Sequence, residues 1–354
     1  MSLLEKTLAA ITPVDWASAQ GVQTLLDNKT KPLGSLGRLE ELACRLAAIR
    51  RSTRLSPPVK AVVVMAGDHG VAGPDGPGVS AFPQAVTAQM VLNFVAGGAA
   101  INVLAAQAGA RVVVVDMGVK GPLDHPGVIN RKFAPGTQDF TTGPAMSRDQ
   151  AVAALEAGIQ LAGDLADQGI SLLAMGEMGI GNTTSSAALA AGFLKMAPSE
   201  VTGRGTGVDD AGLARKLAAI TAALKANGPL TGDPVDTLAK LGGFEIAGLA
   251  GLVLGGAARN IPVVVDGFIT AAAALTAVRL APHAVDCLIP SHASVEKGHG
   301  RIMEALGLTP LFDMHMRLGE GSGAALAMMW VDAAVAILND MATFDSAGVS
   351  GAEG

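Results

Sequence analysis

Five short runs along the chain are apolar at almost every position and rich in valine, leucine or isoleucine. They cover residues 60–65, 111–115, 170–175, 261–265 and 285–289. Runs of this kind are typical of strands that are buried on both faces, as in a parallel sheet. The pattern therefore predicts five central β-strands.

Longer segments with a helical pattern separate these runs. They cover residues 84–107, 148–167, 183–195, 211–226, 244–259 and 268–281. Strands that alternate with helices indicate parallel pairing, with helices on both faces of the sheet. We therefore predict an α/β fold with three layers, α/β/α, around a mainly parallel sheet.

Both ends of the chain lie outside the strand pattern and have a helical character. Residues 1–52 carry regularly spaced leucines, and residues 294–306 and 321–342 form two further segments with a helical pattern. We expect residues 1–52 and 305–354 to pack together as a small helical domain. Residues 53–304 then form a large α/β domain with the active site at the carboxyl ends of its strands.

Polar or flexible residues follow every predicted strand. The strands end in Gly67-Asp68-His69-Gly70, Asp116-Met117-Gly118, Gly176-Glu177, Asp266-Gly267 and Pro290-Ser291-His292. Ligands of open parallel sheets bind outside the carboxyl ends of the strands. We therefore predict an active site at this edge, with Asp266 and Ser291 among the substrate-binding residues.

The stretch that begins at Gly176 is a glycine turn between a strand and a helix. Asn182 or Thr183 can cap this helix, because their side chains accept from its first free N–H groups. A helix start preceded by glycines presents free amides and the positive end of the helix dipole, which suits a phosphate. We predict that Gly179, Asn182 and Thr183 bind substrate there. A tight turn that needs glycines without any ligand is the alternative.

Glu320 lies between two glycines, directly before the apolar helix that starts near Ala324. A carboxyl group on such a turn can be shielded from water. Burial raises the pKa of a carboxyl group and makes it a better base near neutral pH. A glutamate that is merely stabilised by the helix dipole is the alternative.

A second glycine-rich loop, Gly203-Arg204-Gly205-Thr206-Gly207, precedes Lys216 by a few residues. A glycine loop with a nearby cation can complete a phosphate site, which makes Gly205 and Lys216 candidates. A flexible connector without a ligand explains the loop equally well.

Charge and composition exclude several classes of function. A net charge of −6 without any basic run argues against nucleic acid as a partner. Two cysteines are too few for a disulfide framework, which fits a reducing cytoplasm. The first residues lack a signal-peptide pattern. Charged residues and a proline interrupt the most apolar region, 244–281, so we predict no membrane span.

Several catalytic motifs are missing from the sequence. No Gly-Lys-Ser/Thr follows a glycine turn, so there is no P-loop, and no Gly-x-Ser-x-Gly elbow of a serine hydrolase occurs. The six histidines are scattered without the paired spacing of metal ligands. We therefore expect neither a metal nor another cofactor.

Taken together, the motifs closely resemble those of the nicotinate-nucleotide–dimethylbenzimidazole phosphoribosyltransferase family. They occur in family order and cover essentially the whole chain. The segments that carry the resemblance are Lys31–Glu40, Gly67–Val71, Gly176–Thr184, Gly242–Glu245, Asp266–Phe268, Pro290–Gly298 and Arg317–Met328.

The resemblance implies a Rossmann-like large domain, a small helical domain from both termini, and a homodimer. It also implies transfer of the 5-phosphoribosyl group from nicotinate mononucleotide to 5,6-dimethylbenzimidazole. By this resemblance Glu320 matches the general base, Glu177 matches a second carboxylate near the ribose, and Lys216 matches a lysine that assists transfer.

In this family, residues that correspond to 78–92 line the pocket for the aromatic base. Phe82 and Met90 stand where some members have a serine and a glutamine. We therefore expect both to bind the base through an apolar slot, with simple core packing as the alternative. Whether the acceptor is 5,6-dimethylbenzimidazole, benzimidazole, a phenol or adenine stays open.

Two other functions compete with phosphoribosyl transfer. A non-catalytic protein that binds nucleotides or cobamide precursors would keep the pocket without the chemistry. The presence of Glu320 and Glu177 in the motifs that match the family argues against this alternative. A nucleotide-dependent kinase would need a P-loop or a set of carboxylates for Mg²⁺, and the sequence contains neither.

Overall fold

The computed structural model describes residues 1–205 and 207–350, so Thr206 of the glycine-rich loop and residues 351–354 of the predicted helical domain lie outside it. A parallel sheet of six strands forms its centre, in the order β3-β2-β1-β4-β5-β6. The strands are β1 (Lys60–Gly67), β2 (Ala110–Gly118), β3 (Val128–Asn130), β4 (Leu172–Met178), β5 (Val263–Val265) and β6 (Leu288–Pro290).

Helices connect these strands and account for both ends of the described chain. The α-helices are α1 (Leu3–Ala10), α2 (Trp16–Asp27), α3 (Arg38–Arg50), α4 (Val86–Ala96), α5 (Ala100–Gln107), α6 (Arg148–Asp167), α7 (Asn182–Leu194), α8 (Pro198–Val201), α9 (Asp210–Ala226), α10 (Pro234–Leu241), α11 (Phe244–Ala258), α12 (Phe268–Leu280), α13 (Lys297–Leu306), α14 (Ser322–Asp340) and α15 (Phe344–Ala347). Short 3₁₀ segments cover Gly70–Ala72 and Pro282–Cys287.

The strand order is that of the Rossmann fold, and it reverses direction between β1 and β4. All strand pairs are parallel, with Val64 of β1 opposite Gly176 of β4 and Val114 of β2. The predicted three-layer α/β/α fold is therefore confirmed. The point where the order reverses is where such a sheet opens a crevice for a ligand.

The strands are apolar at every position because both faces of the sheet are covered. In β1, Val63 and Met65 contact the layer that contains α6, α11 and α12, whereas Val62 and Val64 contact the layer that contains α3, α5 and α14. All four side chains are fully buried. This is the burial expected of central parallel strands.

Three details differ from the sequence-based expectation. The edge strand β3 was not predicted, because three half-exposed residues carry no recognisable pattern. The segment 84–107 is two helices, since Gly97 has a φ of 82° and ends α4 in a left-handed conformation. The last strand begins at Leu288, because a 3₁₀ turn that starts with Pro282 takes up the residues before it.

The helices near both ends of the chain have mixed neighbours. α3 packs against α2 and α14, as a small helical domain from residues 1–52 and 305–354 would require. However, α1 packs against α6 and α11, and α14 also contacts β4 and β5. The division from the large domain, residues 53–304, therefore stays a prediction.

α6 and α11 cross in very close contact on one face of the sheet. Gly158 of α6 faces Gly248 and Leu252 of α11, and Gly251 faces the backbone of Leu155. A Cβ atom on Gly251 would lie 2.8 Å from the carbonyl carbon of Leu155. The two backbones can approach this closely only because these positions lack side chains.

Two stretches are long and apolar enough to cross a membrane by length and composition alone, 86–107 and 322–340. The first is broken into α4 and α5 by Gly97 and Gly98. The second is α14, and more than half of it is buried inside the protein. Both stretches therefore belong to the globular fold.

Candidate active site

A cavity of about 270 Å³ opens at the carboxyl edge of the sheet, beside the end of β4. Its wall combines residues from the strand ends, from α4 and from the turn before α14. The polar residues that line it are Glu177, Asn182, Thr183, Thr270, His292, Ser294, Glu296, Arg317 and Glu320. Its position matches the ligand crevice of a doubly wound sheet.

Glu320 stands on the turn that starts α14 and is only 7% exposed. Its φ of 62° lies in the left-handed region, which costs a residue other than glycine roughly 1–3 kcal/mol. Oε2 accepts a hydrogen bond of 3.4 Å from the amide of Ile101, at the start of α5. Burial raises the pKa of Glu320, and the Ile101 amide opposes this effect.

The turn of Glu320 fits against β4 because several positions lack side chains. A Cβ on Gly176 would lie 2.8 Å from the carbonyl carbon of Glu320, and one on Gly319 would overlap with the carboxylate of Glu177. The glycines around Glu320 and Glu177 therefore bring these two side chains, 143 positions apart in the sequence, to one cavity.

Glu177 ends the strand β4 and is buried. The side-chain amide of Asn182 donates a hydrogen bond to its Oε2. The pKa of Glu177 is raised to about 8, mainly by burial and also by the nearby carboxyl groups of Asp266, Glu245 and Glu320, whereas the Asn182 hydrogen bond opposes the rise. Without a ligand, Glu177 is therefore mostly protonated at pH 7.

We expect Glu177→Gln to remove a pH-dependent loss of stability. The pKa is about 8 when folded and near 4.5 when exposed, so the folded state binds more protons between these values. This group therefore lowers stability as pH rises from about 4.5 to about 8. The stability advantage of the variant should therefore grow as the pH rises from about 4.5 to about 8, by at most about 1.4 kcal/mol per pH unit, and should be smallest near pH 4.5.

Urea denaturation between pH 4.5 and pH 8 measures this difference. Glu304→Gln, at an exposed glutamate of α13, is the control and should give the same profile as the unsubstituted protein. A stability difference for Glu177→Gln that does not change with pH would contradict a buried, protonated Glu177.

Two cationic side chains lie at the end of the cavity that the start of α7 forms. Nζ of Lys216 donates a hydrogen bond of 2.8 Å to Oγ1 of Thr183, in the first turn of that helix. Burial lowers the pKa of Lys216 to about 8, and Glu296 opposes this effect. The guanidinium of Arg317 donates a hydrogen bond of 3.1 Å to the carbonyl oxygen of Gly205. This end is suited to an anion.

An apolar slot forms the remaining wall of the cavity. Its side chains are Phe82, Val86, Met90, Met178, Ile180, Phe268, Ile269 and Leu318. Phe82 is half exposed, whereas Met90 is partly buried on α4. A flat aromatic molecule can pack against such a surface, and methionine adapts to its shape.

The cavity brings together eight of the residues that the sequence singled out. These are Phe82, Met90, Glu177, Gly179, Asn182, Thr183, Gly205 and Glu320. Lys216 does not line the cavity itself, but its ammonium group donates a hydrogen bond to Thr183, which does. Asp266 and Ser291 lie behind the wall, where the Ser291 hydroxyl donates to the Asp266 carbonyl oxygen at 3.0 Å.

Glu296 and Arg317 line the cavity but were not singled out individually from the sequence. Both stand in segments that carry the family resemblance, so the motifs contained the signal. Their side chains were not distinguishable from ordinary helix-flanking charges by spacing alone. Over residues 1–205 and 207–350, no three His, Cys, Asp or Glu side chains are grouped so as to hold a metal ion.

Comparisons with known proteins show the family to which this chain belongs. A family model described as phosphoribosyltransferase matches residues 11–349. The nicotinate-nucleotide–dimethylbenzimidazole phosphoribosyltransferase of Roseiflexus sp. (strain RS-1) is 57% identical over 352 residues, which is 99% of each chain. The protein of the same name from Geobacter sulfurreducens is 54% identical over 351 residues, again 99% of each chain.

A solved structure has the same fold. The crystal structure of the nicotinate-nucleotide–dimethylbenzimidazole phosphoribosyltransferase from Thermus thermophilus aligns with a TM-score of 0.89 and 46% identity. The alignment covers 96% of this chain and 100% of the Thermus chain. The chain therefore belongs to the nicotinate-nucleotide–dimethylbenzimidazole phosphoribosyltransferase family.

Proposed function

We propose that this protein transfers the 5-phosphoribosyl group of nicotinate mononucleotide to 5,6-dimethylbenzimidazole, with α-ribazole 5′-phosphate and nicotinate as products. The observation that carries this proposal is the cavity itself. Its lining combines two buried carboxyl groups, Glu320 and Glu177, with apolar side chains and with the start of α7, where Lys216 and Arg317 supply positive charge.

The reaction needs a base more than it needs an acid. The ring nitrogen of the nicotinate group is already cationic, so it takes the electron pair of the C1′–N bond and leaves without protonation. The unprotonated nitrogen of the azole forms the new bond to C1′ from the opposite face. The β-linked nucleotide thereby becomes an α-linked one.

Glu320 takes the proton that the attack makes acidic. When one azole nitrogen bonds to C1′, the N–H on the other nitrogen becomes far more acidic, and the carboxylate of Glu320 accepts that proton. A raised pKa improves a carboxylate as a base near neutral pH. A position beside the apolar slot suits this role, because the slot would hold the azole ring.

Glu177 acts on the ribose side of the reaction centre. C1′ gains positive charge as the bond to nicotinate breaks, and a negative carboxylate nearby stabilises that charge. The free group is mostly protonated at pH 7, and the positive charge on the pyridinium ring and on the developing ribosyl cation favours its ionised form when the nucleotide is bound. In its protonated form the same group can donate a hydrogen bond to a ribose hydroxyl.

The phosphate lies at the start of α7 in this proposal. Gly179, Asn182 and Thr183 form the turn and the first residues of that helix, where amides and the helix dipole favour an anion. Lys216 and Arg317 bring positive charge to the same end through Thr183 and Gly205. The Phe82 and Met90 side chains then contact the acceptor base.

Product analysis tests the proposed function directly. The protein is incubated with nicotinate mononucleotide and one acceptor at a time, among them 5,6-dimethylbenzimidazole, benzimidazole, a phenol and adenine. We expect nicotinate and an α-linked nucleotide in equal amounts, with the best rates for flat apolar azoles. Nucleotide binding without nicotinate release would favour the non-catalytic alternative instead.

A homodimer is the second part of the proposal, and α4 with α5 supports it. Leu92 of α4 and Val103 of α5 are 47% and 67% exposed, and both helices are rich in apolar residues. Contiguous exposed apolar surface typically marks an interface, and these two side chains are candidates for such a surface. Sedimentation should give about twice the chain mass of 35.4 kDa, and Val103→Glu should shift it toward one chain. A single-chain mass before substitution would contradict the dimer.

The proposed location is the cytoplasm. Cys44 and Cys287 are both free, and Cys287 is buried, so neither contributes a disulfide. Unpaired cysteines are typical of proteins in a reducing compartment.

A further inference from the structure

Asp266 accepts hydrogen bonds from the turn that carries Glu320. It stands at the end of β5 and is only 1% exposed. Its Oδ1 accepts from the amide of Ala324 at 2.9 Å, and its Oδ2 accepts from the amide of Gly321 at 3.3 Å. Asp266 does not line the cavity, so it is not placed to contact a substrate.

These two hydrogen bonds replace an N-terminal cap that α14 does not have. The residue in the cap position is Gly321, which has no side chain to accept from the first free amides. The first N–H groups of a helix need acceptors when they are buried. Asp266 supplies both acceptors from a strand end that is 55 residues away in the sequence.

The position of Glu320 depends on this cap. Glu320 has a left-handed backbone, which a residue other than glycine adopts only when its surroundings hold it there. Asp266 holds the amides of Gly321 and Ala324 at the helix start, and Glu320 directly precedes Gly321. We propose that Asp266 is a positioning residue that acts through Glu320 by holding the start of α14 on the end of β5.

Burial raises the pKa of Asp266 to about 7, and hydrogen bonds from the backbone amides of the α14 turn oppose this rise. His292, after β6, has Nδ1 3.9 Å from Oδ1 of Asp266, and burial lowers the pKa of His292, which favours its neutral form. Glu177, near the end of β4, is close enough to Asp266 for the Asp266 charge to raise the pKa of Glu177. The backbone amides of the α14 turn are therefore the main partners of the Asp266 carboxyl group.

A double-mutant cycle between Asp266→Asn and Glu320→Gln tests the proposal. Asparagine has the shape of aspartate but offers one acceptor oxygen and turns an NH₂ group toward a backbone amide. A shift of the base by about 1 Å can cost about 100-fold in rate, so we expect Asp266→Asn to lower kcat about 10- to 100-fold. The KM for nicotinate mononucleotide should stay within about twofold, because Asp266 does not line the cavity.

The decisive measurement is the second arm of the cycle. If Asp266 acts only through Glu320, adding Asp266→Asn to the Glu320→Gln variant should lower kcat by no more than about twofold. Equal losses in both backgrounds would overturn the proposal, because a general structural defect does not depend on the residue at position 320. An unchanged kcat for Asp266→Asn alone would overturn it as well.

Asp116→Asn is the matched control. Asp116 stands at the end of β2, is 2% exposed, and accepts from the amides of Gly118 and Val119 at 3.0 and 2.8 Å. Its effect on kcat should be the same with glutamate or glutamine at position 320. If circular dichroism shows that Asp266→Asn is unfolded, Asp266→Ser replaces it in the cycle, because serine retains one acceptor.

This inference rests on the proposed function, because it requires Glu320 to be the base. The cycle separates the two possible failures. Full turnover by Glu320→Gln would reject the base and the role of Asp266 together. A strongly impaired Glu320→Gln with additive loss from Asp266→Asn would reject only the role of Asp266.

Discussion

Glu320→Gln is expected to lower kcat about 10²- to 10⁴-fold while the protein still folds and binds nicotinate mononucleotide. General base catalysis by a positioned side chain contributes rate factors of this size. Glutamine keeps the shape of the side chain and can still accept from the Ile101 amide, so the α14 turn should stay intact. Single-turnover release of nicotinate and equilibrium binding of the nucleotide measure the two effects separately.

Glu304→Gln, the exposed variant used above for stability, is the control for this measurement and should retain full turnover. Retained turnover in Glu320→Gln would remove Glu320 from the base role. Equal loss of turnover and of nucleotide affinity would instead indicate a collapsed site, because the proposed role of Glu320 is confined to the acceptor.

Gly251→Ala is expected to destabilise the protein by about 3 kcal/mol. The new methyl group would meet the backbone of α6, 2.8 Å from the carbonyl carbon of Leu155 and 3.1 Å from Cα of Gly158. Backbone atoms cannot move aside as a flexible side chain can, so α6 and α11 must separate. Overpacking of this kind in a core typically costs about 1–3 kcal/mol or more. Chemical denaturation gives the change in the free energy of unfolding.

Gly163→Ala is a matched control on the same helix, α6. Among the described residues, a Cβ at this position would have no neighbouring atom within 4 Å, so the substitution creates no overlap. Alanine is a better helix former than glycine, and we expect a gain of about 0.5–1 kcal/mol. Similar effects of Gly251→Ala and Gly163→Ala would show that the α6–α11 contact is not as close as described.

The strands and their polar ends were predictable because the physical signal is local. A strand buried on both faces is apolar at every position, and its carboxyl end is marked by glycine or a polar residue. Glu177 and the glycine turn after it were therefore identified from the sequence. The short edge strand β3 was not, since three residues at the sheet edge carry too little pattern to detect.

The direction in which a side chain points was not predictable for every strand end. Asp266 and Ser291 follow β5 and β6 as expected, but both side chains turn behind the cavity wall. Nothing local distinguishes a carboxylate that faces a ligand from one that caps a distant helix. The difference arises only when α14 returns to the sheet, which is a tertiary contact.

The cationic end of the cavity shows the same limit. Lys216 stood out as a cation after a glycine loop, yet its buried ammonium and its contact with Thr183 follow from the packing of α9 on α7. Arg317 and Glu296 line the cavity without a spacing that marks them. Their segments were recognisable only as parts of a longer set of motifs.

The place of α14 in the fold has a consequence for synthesis on the ribosome. This helix covers the face of the sheet that contains Val62, Val64 and Leu172, and these residues are synthesised well before it. Until residues 320–340 have emerged, the part of that face that α14 covers is open to chaperones or to other chains. The turn that carries Glu320 arrives with this helix, so a newly made chain acquires its proposed base and completes its core in one step.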